Sequence, residues 1–191
     1  MPAVVIGGSA GALEVVGEIL TALAPAFSWP LVVVLHLSRH RPSLLPAVLA
    51  ARSTRPVVEP DDKEPVRAGN VYVAPPDYHL LIDQGPAFAL STEAPVKFAR
   101  PSIDALFESA ADVYGPNLVG VVLTGANDDG ARGLRAITQA GGCGIVQAPA
   151  SAVAPTMPNA ALALCAQARV LTQSEICGYL LKLERSFAEC R

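Results

Sequence analysis

An α/β fold, with a single doubly wound, mostly parallel sheet, helices on both faces and a β-hairpin insertion, follows from three observations. Apolar runs of strand length alternate with helix-period segments along most of the chain. The strongest runs, Val4-Val5-Ile6, Leu31-Val32-Val33-Val34-Leu35 and Leu118 to Leu123, are continuously apolar, as parallel strands covered on both faces must be. The composition is 51% hydrophobic but only 5% aromatic, with Ala, Val and Leu dominant, which suits closely packed strands and helices.

The elements follow in order. Val4-Val5-Ile6 is a strand, Gly7-Gly8-Ser9-Ala10-Gly11 a tight turn, and Leu13, Val15, Val16, Ile19, Leu20 and Leu23 mark one face of a helix. Trp29-Pro30 breaks the chain before the second strand, Leu31 to Leu35. Ser38 to Arg41 reads as a polar loop, and Pro42 suits the first turn of a short helix reaching Leu49. Val57-Val58-Glu59 reads as another short strand. Between residues 60 and 95, Val71-Tyr72-Val73, Leu80-Leu81-Ile82 and Phe88-Ala89-Leu90 are split by Pro75-Pro76-Asp77 and Gln84-Gly85-Pro86, a pattern of hairpins rather than βαβ units. Ser102 is placed to cap a helix whose apolar face carries Ile103, Leu106, Phe107, Ala110 and Val113 or Tyr114. The strand Leu118 to Leu123 is followed by the loop Thr124 to Gly130 and a helix from about Ala131 to Ala140. Gly144 to Gln147 is the next strand, and helices near 158–165 and 174–188 complete the chain. No internal repeat or linker divides it, so residues 1–191 are expected to form one domain.

Composition narrows the function. With 16% charged residues and 51% hydrophobic, the chain is not intrinsically disordered. The net charge of −3 supplies no pull toward nucleic acid or an anionic membrane, so neither is an expected partner. Cys143, Cys165, Cys177 and Cys190 show no C-x-x-C spacing and make neither a zinc ribbon nor a disulfide frame. Cys143 and Cys165, in apolar strand and helix contexts, are expected as reduced core thiols, and Cys190 as exposed. There is no basic leader with a cleavage pattern, and the longest apolar stretch, near Leu31 to Leu37, is too short to span a bilayer. A cytoplasmic protein without membrane insertion is the expectation.

Three polar residues share one structural place. Ser9 follows the first strand, His36 ends the second, and Asp129 lies just past the strand Leu118 to Leu123. Parallel strands open all such positions on one sheet edge, where open α/β folds keep their sites. Gly7 to Gly11 also fits G-x-S-x-G, a turn that lifts a serine hydroxyl clear of its backbone. A serine nucleophile needs a base, and a histidine base needs a carboxylate to hold its tautomer. Each residue has a plainer role available: Ser9 as a small turn residue or anion-binding cap, His36 as a strand-end histidine, Asp129 as a turn residue or N-cap. His40 and His79 compete for the base, and spacing does not separate Asp128 from Asp129. A dinucleotide site is disfavoured, because Ser9 and Ala12 replace fingerprint glycines and the second strand ends in His36 rather than an acid. A lipase-like fold is disfavoured too, because no strands precede the elbow and the order is Ser, His, Asp.

Several segments together resemble the catalytic domain of bacterial chemotaxis protein-glutamate methylesterase (CheB-type). They are Ile6 to Gly11, His36, Gly69-Asn70-Val71-Tyr72-Val73-Ala74-Pro75-Pro76-Asp77-Tyr78-His79, Arg100-Pro101-Ser102-Ile103-Asp104-Ala105-Leu106-Phe107, Leu123-Thr124-Gly125 through Asp129-Gly130-Ala131, Gln147, and Met157-Pro158. They run in the family's order over nearly the whole chain. The resemblance implies a serine hydrolase that removes methyl groups from glutamate side chains on chemoreceptor cytoplasmic helices, with deamidation of receptor glutamines as a related activity. It implies Ser9 as nucleophile, His36 as base and Asp129, over Asp128, as the triad carboxylate, with no metal or organic cofactor. It also implies backbone N–H groups at Ala10 and Ala126 for the oxyanion and substrate.

The chain departs from the family where Ala10 stands for the usual threonine and Ala126-Asn127 for methionine-glycine. Ala126 keeps a backbone N–H, but the side-chain roles are lost, so a slower rate or another substrate is compatible. One oxyanion donor is worth about 3 kcal/mol. The family normally carries an N-terminal phospho-receiver domain, whereas this sequence begins at the elbow strand; regulation in cis is therefore not claimed, and a separate receiver or regulatory protein is a candidate partner. Arg39, Arg41 and Arg100 lie near the proposed edge, either to meet an acidic receptor surface or simply to be solvated. The alternative function is a catalytically weak or inactive homologue that acts as a receptor- or partner-binding module.

Overall fold

The structure, a computed structural model, describes residues 1–23, 27–36 and 44–189. Strands β1 (Ala3–Gly8), β2 (Leu31–Leu35), β3 (Val57–Val58), β4 (Val71–Val73), β7 (Leu118–Val122), β8 (Cys143–Gln147) and β9 (Arg169–Leu171) form a seven-stranded sheet in the order β3-β4-β2-β1-β7-β8-β9. Every pairing in it is parallel. β5 (His79–Asp83) and β6 (Ala87–Ser91) make a separate antiparallel hairpin. The helices are α1 (Ala12–Leu23), α2 (Leu45–Ala50), α3 (Ile103–Tyr114), α4 (Ala131–Gln139), α5 (Thr156–Leu164) and α6 (Gln173–Glu189).

Strand alternation sorts the core into two layers. Val5, Val32, Val34, Tyr72, Val122 and Val146 face α3, α4, α5 and the hairpin. Val4, Ile6, Val33, Val73, Val121 and Ile145 face α1, α2 and α6. Each fully buried Val, Leu or Ile side chain is worth about 1.5–3 kcal/mol of transfer free energy, so the two layers dominate stability. Among the described residues, no helix is long and apolar enough to cross a membrane.

The doubly wound sheet and the hairpin insertion agree with the sequence expectation. One segment needs correction. Val71-Tyr72-Val73, which the sequence groups with the hairpins, is a parallel strand of the main sheet beside β2 and β3, with all three residues buried; Leu80–Ile82 and Phe88–Leu90 do form the hairpin. Strand β9, an edge strand with exposed Arg169 and Val170, is absent from the sequence expectation. Cys143, Cys165 and Cys177 are free thiols, with Cys143 half-buried rather than in the core. The loop from Ser38 to Arg41, Pro42 as a first-turn residue, and Cys190 lie outside the described residues; the described helix begins at Leu45.

Strand order reverses at β1. From it the chain winds one way through β2, β4 and β3, and the other way through β7, β8 and β9. Such a switch point leaves a crevice at the carboxyl end of the central strand. Ser9 is the first residue beyond that end.

Candidate active site

The turn after β1 is held from both neighbouring strands. Gly8 pairs with Leu35, and the next amide on β2, His36 N–H, donates to Gly8 O at 3.3 Å. On the opposite side Leu123 N–H donates to Gly7 O at 2.8 Å, and Ser9 N–H donates to Thr124 O at 2.9 Å. Ser9 therefore leaves the sheet between His36 and Thr124. Gly11 turns the chain with a φ of 81°, a conformation that favours glycine, and Ala12 N–H donates to Ser9 O at 3.0 Å as α1 begins.

Asp129 is fully buried at the N-terminus of α3. Its Oδ1 accepts from Ser102 Oγ (3.0 Å), Asp104 N–H (3.0 Å) and Gly130 N–H (3.1 Å). Its Oδ2 accepts from Ile103 N–H (2.7 Å) and His36 Nε2 (2.8 Å). Unpaired N–H groups and the positive end of the dipole make a helix N-terminus an anion site, and here a carboxylate from the chain itself fills it. Burial pushes the Asp129 carboxyl up, but the His36 hydrogen bond and the Asp104 and Ile103 amides outweigh it and hold the group below its ordinary value. It stays ionised where an unassisted buried carboxyl would not.

The hydrogen-bond partners assign the His36 tautomer. Nε2 donates to Asp129, which leaves Nδ1 with its lone pair free to accept. Nδ1 faces Asn127 Nδ2 at 3.4 Å. The Asn127 amide is itself oriented, because its Oδ1 accepts Asp129 N–H at 3.2 Å. The ring is mostly buried, with 13% of its side chain exposed. Among the described residues no hydrogen bond ends on Ser9 Oγ, so the serine lies beside the histidine on the next strand end without being bonded to it. The carboxylate on Nε2 steadies the ring and leaves Nδ1 as its acceptor.

The rivals separate cleanly. Asp128 is exposed and pairs with Lys97 (2.9 Å), away from His36. His79 is buried and anchors the start of α3 instead, since Nδ1 accepts Ser102 N–H at 3.2 Å and Nε2 donates to Ala94 O at 3.1 Å. Arg100 is not simply solvated, since its guanidinium bonds Asp77 Oδ1 (2.8 and 3.1 Å) and the carbonyls of Thr92 and Glu93. His40, Arg39 and Arg41 lie outside the described residues.

Ala10 and Ala126 are both exposed beside this edge, and neither amide N–H has a partner among the described residues. Thr124 locks the turn between them. Its Oγ1 donates to Ala10 O (2.9 Å) and accepts Ala154 N–H (2.8 Å), while its own N–H goes to Gln147 Oε1 (2.9 Å). The sequence assigns no role to Thr124, Gln147 or the Asn127 side chain, and shows Ser102 only as a cap; a threonine at the end of an apolar strand is the one available signal. A cleft of about 210 Å³ opens beside His36, lined by Lys97, Phe98, Ala99, Arg100, Pro101 and Asn127. Among the described residues no cluster of His, Cys, Asp or Glu is placed to hold a metal ion.

Known proteins share this architecture. Residues 4–180 match the family model for CheB methylesterase. A Leptospira interrogans chain, provisionally named protein-glutamate methylesterase/protein-glutamine glutaminase, is 40% identical over 189 residues, covering 99% of this chain and 98% of that one. An Anaeromyxobacter dehalogenans protein named protein-glutamate methylesterase/protein-glutamine glutaminase 2 is 41% identical over 182 residues, covering 95% of this chain; the chain spans only 53% of that relative's length. The crystal structure of the Thermotoga maritima CheB methylesterase catalytic domain superposes with a TM-score of 0.90 at 31% identity, covering 95% of this chain and 98% of that one.

Proposed function

Because the chain belongs to the CheB methylesterase family, whose named members are carboxylic ester hydrolases, we propose that it hydrolyses glutamate methyl esters on chemoreceptor cytoplasmic helices through Ser9, His36 and Asp129. Ser9 Oγ attacks the γ-carbonyl carbon as its proton passes to His36 Nδ1. The amides of Ala10 and Ala126 are the proposed donors to the tetrahedral oxyanion. Collapse breaks the C–O bond, and the proton returned from Nδ1 leaves with methoxide as methanol. A water molecule then attacks the glutamyl-enzyme by the same route and frees Ser9. A receptor glutamine follows the same course with ammonia as leaving group. Asp129 holds Nε2–H throughout and offsets the imidazolium charge without taking a proton.

The observation that carries this reading is the 2.8 Å His36–Asp129 contact seated on the α3 N-terminus, one strand from Ser9. The small cleft lined by His36 and Asn127 opens beside the proposed base, while Ser9 stands outside its lining on the neighbouring strand end. We place the reaction in the cytoplasm, in one catalytic domain over residues 1–191, with no nucleic acid or membrane insertion involved. Methanol release from methylated receptor segments tests the proposal: the chain should release methanol and Ser9→Ala should not, while both melt alike. Equal release by the two proteins excludes Ser9 as nucleophile. Receptor binding without release by the unaltered chain would instead favour a binding module.

A further inference from the structure

The nitrogen of His36 that must receive the Ser9 proton is already in contact with another side chain. Nε2 is committed to Asp129 at 2.8 Å. Nδ1, the remaining acceptor, faces Asn127 Nδ2 at 3.4 Å. The Asn127 amide cannot turn over freely, because Oδ1 accepts Asp129 N–H at 3.2 Å and so keeps the donating end on the imidazole. The same side chain thus ties the backbone of the triad carboxylate to the ring of the base.

An imidazole nitrogen has one lone pair in the ring plane, so Asn127 and the Ser9 hydroxyl compete for it. We propose that Asn127 is a positioning residue for His36: its amide holds Nδ1 in the substrate-free enzyme, and Ser9 gains its base when that contact is exchanged for the Ser9 hydroxyl. This rests on the roles given to Ser9 and His36 above. At 3.4 Å the contact is at the long end of hydrogen bonding, so the exchange costs little. Asn127 and His36 also line the same cleft, so an ester seated there touches the side chain that must yield.

Asn127→Ser is the direct test, because a serine hydroxyl can still accept Asp129 N–H two residues on while offering no amide to Nδ1. The probe is a fluorophosphonate, whose phosphorus bonds to Ser9 Oγ as fluoride leaves and the hydroxyl proton passes to Nδ1. Asn127→Ser should label about two- to threefold faster than the unaltered chain, the factor set by losing one long, weak neutral hydrogen bond at the acceptor. Asn127→Ala, with matched thermal unfolding, should also label faster. Equal or slower labelling in a folded Asn127→Ser protein overturns the proposal. Nitrogen-15 spectra of His36 separate this from the catalytic reading: the Nδ1 resonance should move toward that of a free lone pair in Asn127→Ser. An unmoved resonance overturns the proposal whether or not Ser9 reacts. Absence of labelling in every protein counts against Ser9 as nucleophile, and the resonance still decides whether Asn127 holds the ring.

Discussion

Ser102 Oγ donates a 3.0 Å hydrogen bond to Asp129 Oδ1 while accepting Ala105 N–H at 3.3 Å. One hydroxyl therefore caps α3 and binds the carboxylate that α3 was poised to attract. Helix cap and proposed triad carboxylate are a single hydrogen-bonded unit, so the fold and the site stand or fall together at this point.

Asp129→Asn should cut kcat for methanol release by about 10³–10⁴-fold with little change in KM, because an amide can neither hold Nε2–H as well nor offset an imidazolium. It also sets an N–H₂ group against the α3 amides that now reach the carboxylate. Steady-state kinetics on methylated receptor segments check this, and activity within tenfold of the unaltered chain contradicts it.

Acid should unfold the chain partly through the same residue. Asp129 has a carboxyl held below its ordinary value in the folded state, so its contribution is fully present above the unfolded value of about 4 and is lost as pH falls through the lower folded value. Urea midpoints of the chain and of Asp129→Asn should therefore converge on going from pH 6 toward pH 2. Exposed carboxylates such as Asp83 and Glu175 titrate in both proteins and cancel in the comparison. A gap that stays constant with pH contradicts the assignment.

Thr124→Val should loosen the elbow. The change keeps the shape but strands Ala154 N–H and frees Ala10 O, at a cost of about 1–3 kcal/mol in stability. The Ala10 amide then loses its fixed aim, and kcat should fall about tenfold or more if that amide serves the oxyanion. Chemical denaturation and kinetics measure the two effects separately; a stable variant with full kcat shows that Thr124 does not hold the elbow.

Gly7→Ala should push on the carboxylate site from beneath. A Cβ there would sit 2.2 Å from Ile103 Cγ2, and Ile103 supplies the amide that holds Asp129 Oδ2. Moving this buried, branched side chain should cost about 1–3 kcal/mol and displace the start of α3. Thermal unfolding and kinetics should both decline, and an unchanged protein contradicts this packing.

Much of the fold and site is legible in the chain because parallel strands announce themselves. Two-sided burial makes Val4-Val5-Ile6, Leu31 to Leu35 and Leu118 to Leu123 continuous apolar runs, and their ends point to Ser9, His36 and the loop with Asp129. Val71-Tyr72-Val73 reads wrongly as a hairpin strand because a run so short, between Asn70 and Pro75, shows no period to set it apart from its neighbours. Strand β9 escapes notice because Arg169 and Val170 are exposed on a sheet edge and carry no buried run. The choice between Asp128 and Asp129 lies in loop geometry: Asn127 Oδ1 captures Asp129 N–H, while Lys97 holds Asp128 outward. The Lys97 and His36 contacts join residues distant in sequence, and residue spacing cannot encode them.

The most direct measurement is mass-spectrometric mapping of a fluorophosphonate adduct on the intact chain and on His36→Ala. A phosphonyl group on Ser9 in the intact chain, with labelling at least about a hundredfold slower without the imidazole, is the predicted result. An adduct elsewhere, or equal labelling of Ser9 in both proteins, would contradict the claim that His36 is the base for Ser9.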